Sequence, residues 1–121
     1  MKNAIALIVE DDELLGDIFS KSLEGLYSCE IVKDGNLALT RFAETQPALV
    51  LLDLHLPGLN GDKILEGIRS SATNNDCHVI LCTADARKAD LLRDTADIVF
   101  LKPVNPLELR QLASRFLTKG K

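Results

Sequence analysis

Four places in this sequence put chemically capable side chains directly after a short apolar run. Glu10, Asp11 and Asp12 follow Ala4–Val9. Asp53 and His55 follow Ala48–Leu52. Thr83 and Ala84 follow Val79–Cys82, and Lys102-Pro103 follows Asp97–Leu101. Carboxylates that converge on one pocket repel each other and cost free energy unless something neutralises them. A hard divalent cation does this well, and Mg²⁺ favours a few carboxylates, a carbonyl and retained waters. Glu10, Asp11 and Asp53 would bring three negative charges, which Mg²⁺ and Lys102 together would cancel. Such a pocket suits phosphoryl transfer, which needs charge stabilisation and in-line positioning more than covalent chemistry.

These residues meet only if the elements before them lie side by side. Ala4–Val9, Ala48–Leu52 and Val79–Cys82 are continuous apolar runs, as strands buried on both faces should be. Cys29–Lys33 is shorter and mixed, which suits an edge strand, and Asp97–Leu101 completes five. Leu15, Phe19 and Leu23, with Leu14 and Ile18 beside them, give a first helical face. Asp34-Gly35 reads as a turn, and Leu39 and Phe42 set the inner side of a second helix. Leu56-Pro57-Gly58 breaks the chain into a loop. Ile64, Leu65 and Ile68 start a third helix, Arg87–Arg93 is a short and weakly patterned fourth, and Leu109, Leu112, Ala113 and Phe116 define the fifth. Strict alternation of buried strands and helices predicts an α/β fold, a parallel sheet covered on both faces and doubly wound. In such sheets the working site lies outside the carboxyl ends of the strands.

Length and composition set bounds on this reading. The chain has 121 residues, 46% apolar and 26% charged, which suits one globular domain over 1–121 with a core of its own. The apolar runs fall well short of the roughly 20 residues of a membrane span, and Met1-Lys2-Asn3-Ala4 has no signal-peptide pattern. A cytoplasmic setting is the expectation. Formal net charge is −4, with basic residues scattered rather than striped, which argues against direct nucleic-acid binding; no membrane partner is expected. Cys29, Cys77 and Cys82 are an odd number and read as reduced thiols. A metal site at Cys77-His78 and Cys82 lacks a second ligand pair at zinc spacing.

Val9-Glu10-Asp11-Asp12, the stretch from Leu52 through Asp53, His55, Pro57, Gly58 and Asn60 to Gly61, Leu81-Cys82-Thr83-Ala84 and Leu101-Lys102-Pro103 together resemble the receiver domains of two-component response regulators. The resemblance covers nearly the whole chain, in order and at the right spacing. It implies a flavodoxin-like sheet of order 2-1-3-4-5. It implies that Asp53 accepts a phosphoryl group from a sensor histidine kinase or a histidine phosphotransfer protein. Asp11, Asp53 and the backbone carbonyl of His55 would ligate Mg²⁺, with Glu10 acting through water. Thr83 and Lys102 would contact phosphoryl oxygens, Ala84 would leave room for the donor, and Pro103 would follow a cis peptide bond. The chain would catalyse only its own phosphorylation and slow dephosphorylation, and pass the event to a downstream partner.

Several points stay open in the sequence. Glu10 and Asp11 are placed in the pocket and Asp12 at a helix start, where Asp is a favoured cap; the other register puts Asp11 and Asp12 in the pocket. His55 is either a solvated loop residue or a modulator of water attack on the acyl phosphate. Many receivers carry an aromatic residue three positions before the lysine. Here that position is Val99, and Phe100 beside it must point to the opposite face. Asn60 stands where an acid is frequent. The last helix runs into Leu117-Thr118-Lys119-Gly120-Lys121 with no effector domain in this chain, and Lys102-Pro103-Val104-Asn105-Pro106-Leu107 leans toward the hybrid-kinase style. Two rival readings are a pseudo-receiver that is never phosphorylated and a phosphatase with an Asp nucleophile. The latter would carry a second Asp two residues after the first, where this chain has His55.

Overall fold

The structure, a computed structural model, describes residues 4–56, 61–70, 77–94 and 96–118. Pro57, Gly58, Leu59 and Asn60 of the loop motif, Met1-Lys2-Asn3 and Lys119-Gly120-Lys121 lie outside them. Strands and helices alternate along the chain: β1 (Ala4–Val9), α1 (Glu13–Ser22), β2 (Tyr27–Val32), α2 (Gly35–Thr45), β3 (Leu49–Asp53), α3 (Gly61–Arg69), β4 (His78–Thr83), α4 (Ala86–Leu92), β5 (Ile98–Leu101) and α5 (Pro106–Thr118). All pairings are parallel, in the order β2-β1-β3-β4-β5.

The period-two alternation of each strand splits the core in two. Leu7, Val9, Val50, Leu52, Val79 and Leu81 face Phe42 of α2 and Ile64, Leu65 and Ile68 of α3. Ala6, Ile8, Leu49, Leu51, Ile80 and Cys82 face Phe19 of α1 and Leu109 and Ala113 of α5. The fourteen residues of β1, β3 and β4 from Ala6 on, apart from His78, are 0–4% exposed, so the three central strands are dry on both sides, as their unbroken apolar runs require.

Three local readings change. Asp34-Gly35 is a helix start rather than a free turn: the Asp34 carboxylate accepts from Asn36 N at 2.7 Å as the N-cap of α2, and Gly35 is its first residue. The edge strand β2 begins two residues earlier than expected because Tyr27 is drawn inside, its hydroxyl donating to the Ala113 carbonyl of α5 at 2.9 Å. Leu14, counted beside the inner face of α1, is 69% exposed. The buried residues of α1 are the expected Phe19 and, in addition, Gly16. Of the expected inner face of α5, Leu109, Ala113 and Phe116 pack into the core while Leu112 is half-buried and joins neither half of it, and the cysteines are free thiols, Cys77 and Cys82 buried and Cys29 half-buried. Burial pushes the Cys77 and Cys82 thiols up to about 12.

At the end of the sheet away from the acidic residues, Asp97 ties β4 to the start of β5. Its Oδ2 accepts from Val79 N at 2.7 Å and from Arg69 Nη2 at 3.1 Å. Burial would raise this carboxyl, but the Val79 N–H and the Arg69 guanidinium outweigh it and hold it below its ordinary value. A depressed carboxyl contributes stability that is full above the unfolded pKa, near about 4, and lost as pH falls through the folded one. Asp97→Asn is therefore expected to lose about 1–2 kcal/mol at pH 7. Urea midpoints of variant and parent should converge below about pH 4; a gap that stays constant with pH would contradict this.

Candidate functional site

Parallel register brings the strand ends together. Val9 lies level with Leu52, so Glu10, next in the chain, comes beside Asp53. Asp53 ends β3 opposite Cys82, and Thr83 lies level with Leu101. Lys102 N donates to the Thr83 carbonyl at 2.8 Å, and Glu10 N to the Val32 carbonyl at 3.0 Å, which extends the ladder one step into the site. Of the two registers left open, Asp12 takes the helix start: its side chain accepts from Leu15 N at 3.0 Å as the N-cap of α1.

Glu10, Asp11 and Asp53 each offer a carboxylate oxygen within 4.8 Å of the others. Glu10 and Asp53 are buried and Asp11 is exposed. Lys102 reaches in from the end of β5, its Nζ 3.3 Å from Asp53 Oδ2 and 3.5 Å from Glu10 Oε1. The peptide bond after it, Lys102–Pro103, is cis. Thr83 is fully buried, and its Oγ1 accepts from Asp85 N at 3.0 Å. His55 is exposed, but its N–H donates to Asp53 Oδ1 at 3.1 Å. Ala84 is exposed at the mouth of the site. Glu10, Asp11, Asp53, His55, Thr83, Ala84, Lys102 and Pro103 thus all follow or end strands at the carboxyl end of the sheet.

The pocket is electrostatically unfinished. Burial, and then the charge of Asp53, push the Glu10 carboxyl up to about 7. Burial alone would lower Lys102, but the charges of Asp53 and Glu10 outweigh it and hold its ammonium above its ordinary value. Among the described residues, the buried Glu10 Oε1 accepts no hydrogen bond, because Lys102 Nζ is not placed in hydrogen-bond geometry. Three hard oxygen donors, one of them orphaned and resisting ionisation, fit a divalent cation such as Mg²⁺.

A family model described as the response regulator receiver domain matches residues 6–114. The chain belongs to this family. The receiver is 35% identical over 107 residues to the DNA-binding response regulator MtrA of Mycobacterium tuberculosis, covering 85% of this chain and 46% of MtrA. It is 34% identical over 84 residues to the regulatory protein VanRB of Enterococcus faecalis, covering 69% of this chain and 37% of VanRB. The receiver thus spans about half or less of the length of these relatives. Among solved structures, the receiver domain of the sensor histidine kinase PA1611 from Pseudomonas aeruginosa superposes with a TM-score of 0.85. It is 25% identical, covering 97% of this chain and 99% of that one, and it carries a magnesium ion in its active-site cleft.

Two residues of this receiver matter more than the sequence suggested. Asp85 caps α4, accepting from Arg87 N at 3.0 Å and Lys88 N at 3.3 Å, while its own N–H is held by Thr83. An Asp just before a helical stretch was the available signal. Gly61 opens α3 against the main chain of Leu54, and a close approach of that kind has no signature in one sequence. Val99 and Phe100 pack on opposite faces, Val99 with the α2–α3 side and Phe100 with the α1–α5 side. Phe100 therefore does not stand in for the aromatic residue common in receivers.

Proposed function

We propose that Asp53 accepts a phosphoryl group from a phosphohistidine of a sensor histidine kinase or phosphotransfer protein, in a Mg²⁺-dependent reaction that this receiver carries out on itself. The observation that carries the reading is Asp53 at the end of the central strand, with Lys102 Nζ 3.3 Å away and Glu10 and Asp11 beside it. Asp11, Asp53 and the His55 carbonyl would hold Mg²⁺, with Glu10 engaging it through water; the ion supplies charge neutralisation and orientation of the incoming group. Lys102 pairs with one phosphoryl oxygen. Thr83 turns its hydroxyl hydrogen to another while still accepting from Asp85 N, since a hydroxyl both donates and accepts. Ala84 leaves the approach open, and His55, exposed on the same turn, is placed to influence later attack by water. The lability of the label to hydroxylamine tests for an acyl phosphate and separates this reading from an unphosphorylated receiver.

The 121 residues act as one receiver unit in this reading. The DNA-binding description belongs to MtrA, of whose length this chain covers 46%; the acidic receiver itself touches no nucleic acid. Likeness to a receiver of a sensor kinase keeps the hybrid-kinase setting in view. No helix among the described residues is long and apolar enough to cross a membrane, and we place the protein's work in the cytoplasm.

The signal leaves through α4. A ligand shifts a conformational equilibrium only by its differential affinity for the two states; Thr83 gains a charge-assisted contact only with the phosphoryl group, and Lys102 adds a phosphoryl oxygen to its carboxylate partners. Thr83 is bonded to the residue that caps α4, and α4 is short, buries Ala89 and leaves Leu91 81% exposed. With Val99 in place of an aromatic ring, displacement of this helix replaces a ring rotation. Hydrogen exchange with and without beryllofluoride and Mg²⁺ is expected to change protection over residues 83–94. Changes confined to residues 10–12 and 53–56 would remove the basis for it.

A further inference from the structure

Gly61 lies eight residues beyond Asp53 and offers no side chain, yet the space where its Cβ would stand is already taken. An added Cβ would fall 2.5 Å from Leu54 Cα, 2.8 Å from Leu54 Cδ2 and 3.0 Å from the Asp53 carbonyl oxygen. Two of these three atoms are main chain. They cannot rotate away as a side-chain tip can, and they belong to Asp53 and the residue after it. The same turn is held from other directions as well. Gly61 N donates to the Leu54 carbonyl at 3.2 Å, Leu54 N donates to the Cys82 carbonyl at 3.3 Å, and His55 N donates to Asp53 Oδ1 at 3.1 Å. Leu54 is 1% exposed, so it cannot retreat outward without opening the core. The contact closes both ends of the β3–α3 loop onto each other.

We propose that Gly61 is a positioning residue, the seat against which the Asp53–His55 turn is held so that its oxygens face Glu10 and Asp11. The inference rests on the reading of Asp53 as phosphoacceptor and adds the residue that sets its geometry. In this proposal a side chain at position 61 displaces the main chain of Asp53 and Leu54, the atoms it meets first. The carboxylate of Asp53 and the carbonyl of His55 move with it.

Gly67 supplies an internal control. A Cβ there would also be crowded, 2.8 Å from Leu39 Cδ2 and 2.9 Å from Leu39 Cδ1. Those atoms end a flexible side chain between α2 and α3, away from the site. Gly61→Ala and Gly67→Ala therefore both strain the α3 face, but only the first reaches the main chain of Asp53.

The test measures Mg²⁺ affinity by calorimetry and acetyl phosphate labelling at saturating Mg²⁺, each per folded molecule, with folded fraction from circular dichroism. Trimethylamine N-oxide is added where needed to hold the variants folded. Gly61→Ala is expected to bind Mg²⁺ about tenfold or more weakly and to label slowly even at saturation, with no recovery on osmolyte addition. Gly67→Ala is expected to match the parent in both once folded. Equal loss in the two variants, or parent-like affinity and labelling in Gly61→Ala, would overturn the proposal. Should Gly61→Ala not fold, the Gly61 amide is replaced by a backbone ester. This removes the bond to Leu54, adds no atom, and spares α3, whose first N–H has no partner within the helix. Weaker Mg²⁺ binding there supports the seat, and unchanged binding overturns it. Absence of labelling in the parent would instead defeat the reading of Asp53.

Discussion

Asp53→Asn is expected to abolish Mg²⁺-dependent labelling by acetyl phosphate while leaving the protein folded. The amide has the shape of the carboxylate but no nucleophilic oxygen, and under the proposed ligation it offers the cation a neutral oxygen in place of an anionic one. Its effect on stability should be small or favourable in Mg²⁺-free buffer. Asp53 is one of two buried carboxylates among the described residues, and its charge is among the causes that push Glu10 up to about 7. Removing it relieves that repulsion, although Lys102 loses a partner at 3.3 Å. A thermal midpoint at or above that of the parent, together with loss of label, would separate a chemical role from a structural one. Label retained at parent level, mapped to another residue, would defeat the assignment.

The second large effect is a contrast between neighbours. Asp11→Ala is expected to weaken Mg²⁺ binding by about a hundredfold or more, since loss of even an outer-sphere partner of a metal ligand costs about 10–100-fold. Asp12→Ala should leave the affinity within a factor of about two, because its carboxylate is turned back onto Leu15 N as the cap of α1. The cost of that variant should appear in stability instead, at about 1 kcal/mol. Calorimetric titration with Mg²⁺ and a urea melt on both proteins make the comparison. The reverse order in the titration would mean that the register is off by one, with Asp11 and Asp12 forming the pocket.

The two substitutions show how the site is divided between the chain's local chemistry and its fold. That an acid follows the first buried strand, another the third, a threonine the fourth and a lysine the fifth is written in the sequence. So is the architecture, because three short apolar runs without polar alternation fit strands covered on both faces, and strict βα alternation makes them parallel. The cap at Asp12 was also legible, since Asp before a helical pattern satisfies free N–H groups by local geometry alone. The opposite faces of Val99 and Phe100 follow from strand alternation in the same way.

Burial and close approach were not legible, because they depend on residues distant in sequence. Glu10 and Asp11 are adjacent acids, yet one is 2% exposed and the other faces solvent. The packing of β1 between β2 and β3 decides which, and with it the orphaned oxygen and the raised pKa of Glu10. Tyr27 joins an edge strand because a carbonyl of α5, 86 residues away, takes its hydroxyl. Leu14 fits the helical pattern of α1 but is left outside, since the α1–α5 core has filled with Phe19 and Leu23. Asp34-Gly35 has the composition of a turn, and only the helix that follows makes it a cap. Gly61 is the clearest case. Its identity is plain in the sequence, but the reason it must be glycine is the main chain of Leu54 at 2.5 Å, a distance set by how α3 docks on the end of β3.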